Sequence, residues 1–341
     1  MKNMAKKNTI TDIANQLGVS TTLVSFVLNG KSKQMRISDE MTAKVMNLAS
    51  SMNYKANFHA KSLRTGKTQT IGLIIADISN PFFAHLARFI EMEASKYKYK
   101  VIFSSSDEQK EKFASQLEML KDGQVDGFIL SPPIGSEKEL ILLKKQKVPF
   151  VMVDRIFRDV EAHSVIIDNY QAAYNATKCL IGNGRKSIAL LNVNNELITM
   201  HDRARGFMDA LADSKLDSNP ELMKHLKFSH EKKLIMKAMR EIIKNGAEAI
   251  LFTTNKLGVT GIECIHELGL RIPEDIAVIS FDDTDAYKLS SISISAVLQP
   301  LQEMSKEAVR ILVNIIENPA AIISFEIIEL KTELILRKSC M

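Results

Sequence analysis

Apolar positions in this chain follow two rhythms, and the change from one to the other divides it. Over the first fifty residues they recur at helical spacing. Ile10, Ile13, Ala14 and Leu17 fall on one helix face, and Val24, Val27 and Leu28 form a second stripe. Between them Gly18 can take the left-handed conformation that stops a helix, and Ser20 is a good N-cap for the next one. Thr21, Thr22, Ser25 and Phe26 then face outward, mostly short and uncharged. A third helix is expected after Ser38, with Asp39 and Glu40 in its dipole-favoured first turn and Met41, Val45, Leu48, Ala49 and Met52 buried. The pattern reads as a helix-turn-helix, although any small helical bundle shares the spacing.

From about residue 70 the apolar residues come in unbroken runs. Strands are predicted at Ile71–Ile78, Val101–Ser104, Gly127–Ser131, Phe150–Asp154, Ser164–Ile167, Ser187–Asn192, Ala249–Thr253 and Ala277–Asp282. Helices are predicted near Phe82–Tyr97, Lys110–Lys121, Glu137–Lys144, Tyr170–Ile181, Arg203–Ala212, Glu231–Lys244, Gly258–Leu268 and Leu301–Ile316. Fully apolar strands alternating with helices imply parallel sheets covered on both faces. This stretch is too long for one comfortable core, so two lobes are expected. The expected organisation is a helix-turn-helix over 1–56, a linker over 57–69 and a two-lobed α/β domain over 70–341. Its first lobe is placed at 70–165 and 296–325, its second at 166–292 and 326–341.

Charge sharpens this division. Residues 1–68 hold eleven lysines and arginines against three acids, a net +8, while the whole chain is +5, so residues 69–341 carry −3. A basic excess confined to one small module implies a polyanion partner, with phosphate contacts giving affinity and salt sensitivity. Short polar side chains on an outward helix face can approach base edges in a major groove.

The second segment has the marks of a binding domain more than of an enzyme. Ligands of such lobes sit at the carboxyl ends of the strands. Asp77, Ser79, Asn80, Asp154, Arg155, Asn192, Asn255, Asp282 and Asp283 all lie at or just past the carboxyl ends of predicted strands. The same residues serve equally well as loop caps or ion pairs between lobes. No Gly-x-Gly-x-x-Gly follows a strand, and no P-loop or Gly-x-Ser-x-Gly occurs. The seven histidines lack metal-ligand spacing, so neither cofactor nor metal is expected. Three cysteines, Cys179, Cys264 and Cys340, with the first two expected to be buried, fit a reducing compartment. With no apolar leader and no run of transmembrane length, a cytoplasmic location and no membrane partner are expected.

The ordered words Asp12-Ile13-Ala14, Gly18-Val19-Ser20, Val27-Leu28-Asn29-Gly30, Asn57-x-x-Ala60-x-x-Leu63, Ile71-Gly72-Leu73-Ile74, Asn80-Pro81-Phe82-Phe83, Arg203-x-x-Gly206-Phe207 and Phe281-Asp282-Asp283 together resemble the lactose/galactose repressor family of bacterial transcription factors. The resemblance spans nearly the whole chain. It implies an all-α helix-turn-helix followed by an effector domain like a type I periplasmic sugar-binding protein. Thr21 and Thr22 would then read bases, Ser25, Phe26 and Asn29 would lie beside them, and Thr9 and Ser20 would position the backbone. The segment Asn57-x-x-Ala60-x-x-Leu63 would fold on operator DNA, with Leu63 wedged into the minor groove. Arg203 and Asp282 would be the main ligand contacts, with Asp154 and Asn255 as further polar groups and Phe82 and Phe83 as an apolar wall. The partners implied are a palindromic operator, a small carbohydrate-type effector and a second copy of the chain, and no leucine-heptad tail argues for more than a homodimer.

Two departures from the family pattern matter. Ala56 stands where a proline usually precedes the hinge asparagine. Phe26 stands where an arginine or histidine is common, and a phenyl ring cannot make arginine's forked contact to guanine. The function expected is a ligand-responsive repressor of carbohydrate-utilisation genes. A corepressor-dependent member of the family and a non-regulatory sugar-binding protein are the alternatives, the latter leaving residues 1–68 unexplained. Arg203 is expected to favour a carboxylate or phosphate on the ligand, although neutral sugars also use such an arginine.

Overall fold

In the computed structural model, which describes residues 8–54, 67–193, 196–227, 231–319 and 324–341, the chain divides into two units, Met1–Thr68 and Gln69–Met341. The first holds α1 (Ile10–Leu17), α2 (Thr21–Leu28) and α3 (Asp39–Ser51). Each is too short to persist alone, so packing must hold them. Ile13, Ala14, Val24, Val27, Val45 and Ala49 form the buried centre, ringed by half-buried Leu17, Leu23, Met41, Leu48 and Tyr54. Thr9 caps α1 in a reciprocal box with Asp12, and Gly18 ends it at φ 64°. Ser20 accepts from the Leu23 amide and Ser38 from the Met41 amide, so all three helices start where the sequence indicates.

The second unit contains two six-stranded sheets. In the first, β1 (Thr70–Ile75), β2 (Lys100–Ser105), β3 (Gly127–Leu130), β4 (Phe150–Val153), β5 (Ser164–Ile167) and β11 (Ile327–Leu330) run in the order β11-β5-β4-β3-β1-β2. In the second, β6 (Ile188–Val193), β7 (Met223–Leu226), β8 (Ala249–Phe252), β9 (Ala277–Phe281), β10 (Ser295–Leu298) and β12 (Glu333–Ile335) run in the order β12-β10-β9-β8-β6-β7. Every pairing is parallel except β10 with β12. Each of β1, β3, β4, β5, β6, β8 and β9 is buried along its whole length, as parallel strands between helix layers must be.

The lobe boundaries differ from the expected ones. Strand β10 pairs with β9 and belongs to the second lobe, not to a first-lobe segment beginning at 296. Strand β11 pairs with β5 and belongs to the first lobe, not to a second-lobe segment beginning at 326. Hydrophobic runs locate strands but do not say which sheet edge receives them. Two helices also begin earlier than predicted. The Ile198–Asp213 helix starts a turn before Arg203, and Thr254 caps the Asn255–Glu267 helix by accepting from the Leu257 amide. Cys264 is buried as expected, whereas Cys179 is only half-buried.

Candidate nucleic-acid interface and effector cleft

On the helix-turn-helix unit, α2 turns Val24 and Val27 inward and leaves Thr21 and Thr22 exposed. Phe26 is half-buried but lies outside the module's apolar cluster. Ser25 and Asn29 are tied together, the Asn29 amide donating to the Ser25 carbonyl at 2.7 Å and to its hydroxyl at 3.3 Å. Thr9 and Ser20 both act as helix caps. Lys31, Lys33 and Arg36 are exposed on the following loop, where they can meet phosphates. Asn57, Ala60 and Leu63 fall outside the described residues.

In the second unit a cavity of about 50 Å³ opens between the lobes. Ligand pockets commonly run to roughly 300–1,000 Å³, so this cavity is a narrow one. Phe82, Phe83, Asp154, Arg203 and Asp282, all anticipated from the sequence, line it together. Phe82 and Phe83 meet edge to face at 4.9 Å and give the first lobe its apolar wall.

Arg203 is 2% exposed, and close packing holds it there. Its helix crosses the Asn169–Gly182 helix so closely that a Cβ on Gly206 would stand 2.2 Å from the Tyr170 carbonyl oxygen. The Arg203 Nε donates to Asn169 Oδ1 at 2.8 Å, Nη1 donates to the Thr253 carbonyl, and the guanidinium lies 4.0 Å from the centre of the Phe281 ring. Burial pulls its pKa down, opposed by the charges of Asp282 and Asp154.

The two aspartates reach the cavity in matching ways. Asp154 follows β4 at φ 70° and Asp282 follows β9 at φ 64°. Left-handed backbone at a non-glycine residue costs roughly 1–3 kcal/mol and persists only where the surroundings demand it. Asp282 accepts from the Gln299 amide at 2.6 Å and from the Asn255 backbone N–H at 3.4 Å. Burial raises its pKa against the pull of Arg203 and Gln299. Burial lifts Asp154 to about 6, with Asp282 and Glu108 adding to the rise and Arg155 and Arg203 opposing it.

Asn255 is buried but does not line this cavity. Its amide donates to Asn80 Oδ1 across the lobes at 2.7 Å, and it borders a wider groove of about 460 Å³ with Ser79, His85 and Thr284. Beside it Lys256 pairs with Asp77, a second tie between lobes. For Asp77, burial alone raises the carboxyl, but the bonds from Lys256 and Ser79 outweigh it and hold the pKa low. Asn192 is internal, bonded to Met200 and Thr253.

Sequence reasoning missed three cavity residues that matter. Glu108 grips Arg155 through two bonds of 2.5 and 2.7 Å, and it sits beyond the carboxyl end of β2, where the strand-end rule applies equally. Gln299 follows β10 in the same way. Thr199 lies in the first turn of the Arg203 helix, whose early start was unforeseen.

Residues 9–57 match the model of the bacterial regulatory proteins of the lacI family, and residues 68–319 match that of the periplasmic binding proteins and sugar-binding domain of LacI family. The chain belongs to the LacI family. It is 32% identical over 324 residues to catabolite control protein A of Staphylococcus epidermidis, covering 94% of this chain and 97% of that protein. It is 30% identical over 338 residues to the transcriptional repressor PurR of Aliivibrio fischeri, covering 98% of each. Among LacI-family structures, CcpA of Lactococcus lactis superposes with a TM-score of 0.72 at 27% identity, over 79% of this chain and 98% of that one. The lac repressor dimer bound to operator and the anti-inducer ONPF superposes with a TM-score of 0.85 over 98% of this chain and 100% of that one, a likeness of fold at 20% identity. A LacI-family chain is thus a DNA-binding transcriptional regulator with a sensor domain. No helix among the described residues is long and apolar enough to cross a membrane.

Proposed function

We propose that this chain is a cytoplasmic repressor of carbohydrate-utilisation genes whose operator affinity is set by a small carbohydrate held between the lobes. The observation that carries this reading is the convergence of Arg203, Asp282 and Asp154 with Phe82 and Phe83 on one interlobe cavity. Buried forked donors, carboxylate acceptors and an apolar wall are what a sugar's hydroxyls and ring faces ask for. Thr21 and Thr22 read bases in a major groove, Phe26 contacts a thymine methyl, and Lys31, Lys33 and Arg36 hold phosphates.

The chain works as a homodimer on a palindromic operator. The edge strand β2 supports this, because it exposes Ile102 (47%) and Phe103 (60%), and such an edge calls for a covering partner. Closure of the lobes on the effector shifts the two hinge segments of the dimer, with Leu63 as minor-groove wedge. The coupling is reciprocal, so operator DNA changes effector affinity by the same factor. A gel shift on the region upstream of the neighbouring genes, with and without candidate sugars, tests the reading and gives the sign of the response. Absence of specific binding at moderate salt under every ligand rejects it.

A further inference from the structure

The charges around the cavity are mostly spent on one another. Three cations line it, Arg155, Arg203 and Lys256, with three carboxylates, Glu108, Asp154 and Asp282. Arg155 is clamped by Glu108 through both terminal nitrogens and also donates to the Pro132 carbonyl. Lys256 is held by Asp77. Neither has a charge left for a ligand. Arg203 differs in that its hydrogen bonds go only to neutral oxygens, those of Asn169 and Thr253. Asp154 also lies 3.5 Å from Arg155 Nε, so Arg155 stands against two carboxylates, Lys256 against Asp77 and Arg203 against Asp282; four carboxylates meet three cations, and the net charge around the cavity is negative.

The spare hydrogen-bonding capacity points the same way. Gln299 is 4% exposed, its amide nitrogen is used on Asp282, and its Oε1 has no partner among the described residues. An unpaired buried acceptor costs about 1–3 kcal/mol until a donor reaches it. Asp282 and Asp154 are acceptors when ionised. Arg155 Nε is the opposed donor, and it faces Asp154 Oδ2 at 3.5 Å. A ligand that completes this set must bring several O–H donors and must not bring an anion.

We infer that the effector is an uncharged polyhydroxyl compound, a free sugar or glycoside without phosphate or carboxylate, and that Asp154 and Gln299 enforce this choice. The inference rests on the carbohydrate reading above and narrows it, reversing the preference for an anion that Arg203 alone suggests. Asp154 repels an added anion. Gln299 rewards a hydroxyl and offers a phosphate oxygen nothing but another acceptor. Discrimination of this kind comes from placing like charge against the wrong ligand.

Thermal shift of the full chain against matched sets, each neutral sugar beside its phosphate ester and its acid, tests this at pH 8. Arg203→Ala serves as the control for binding at this site. The expected result is stabilisation by a neutral sugar, lost in Arg203→Ala, with its charged counterparts binding at least about tenfold more weakly. Asp154→Asn is expected to narrow that gap and Gln299→Leu to weaken the neutral sugar. If a phosphate or acid binds through Arg203 as tightly as its neutral parent, the inference is overturned while the carbohydrate reading stands. If no carbohydrate of either kind acts through Arg203, the carbohydrate reading fails and takes this inference with it.

Discussion

The two walls of the cleft each carry a buried arginine, and the two are used differently. Arg155 in the first lobe is 5% exposed and closed off by Glu108 through a two-pronged ion pair. Arg203 in the second lobe is equally buried but bonds only to neutral oxygens and lies on a phenyl face. Glu108 and Asp154 outweigh burial and hold the Arg155 pKa up, whereas burial prevails at Arg203. A buried arginine with a dedicated carboxylate is part of the scaffold. One without such a partner, lying opposite two carboxylates across a cavity, has capacity for something that arrives.

The largest effect expected from this contrast is on stability. Arg155→Met leaves the half-buried carboxylates of Glu108 and Asp154 without their cation and should cost about 3–5 kcal/mol. Arg203→Met breaks no contact ion pair, but it strands the acceptors of Asn169 and Thr253 and removes the charge that offsets burial at Asp282, and it should cost about 1–3 kcal/mol. Urea unfolding of the two variants checks the order, and equal losses erase the distinction between scaffold and site.

Gly206→Ala comes next. A methyl 2.2 Å from the Tyr170 carbonyl must push the Arg203 helix outward. Overpacking of this kind costs about 1–3 kcal/mol. The effector response should weaken along with the stability, because Arg203 travels with its helix. A variant that loses stability and keeps its full response shows that Arg203 tolerates displacement.

The smallest effect is a pH dependence confined to Asp154. A carboxyl raised to about 6 in the folded state favours folding while protonated and loses that contribution as pH rises through 6. Asp154→Asn should therefore be more stable than the parent at pH 8, by about 1 kcal/mol once the lost attraction of Arg155 and Arg203 is set against the relief of burial. That advantage should vanish by about pH 4, near the unfolded carboxyl's own pKa. Thermal melts of both proteins across this range measure it, and a difference independent of pH places the perturbed group elsewhere.

Much of this was legible in the chain because the signals are local. Caps at Ser20 and Ser38, the stop at Gly18 and the apolar runs of β1, β3, β4, β6, β8 and β9 all act within a few residues. Arg203 and Asp282 were legible only through resemblance, since nothing near them in sequence marks them as facing one cavity. What stayed hidden is non-local. Asn169 and Thr253, which hold Arg203, lie 34 and 50 residues from it. Gln299 is 17 residues from Asp282, and Glu108 is 47 from Arg155. The assignment of β10 and β11 to opposite lobes is likewise a pairing decision that hydrophobicity does not encode. Asn255 shows the converse, a strand-end polar residue that joins the lobes instead of lining the cavity.

The central claim is that one molecule reads DNA at one unit and a sugar through Arg203 at the other, with the two coupled. Its most direct test is operator binding by the parent and by Arg203→Ala, followed by fluorescence anisotropy with and without the neutral sugar that stabilises the parent. The account predicts equal operator affinity for the two proteins without sugar, and a sugar-dependent change of at least about fivefold in the parent alone. An Arg203→Ala protein that responds normally, or a parent whose operator affinity the sugar leaves unchanged, contradicts it.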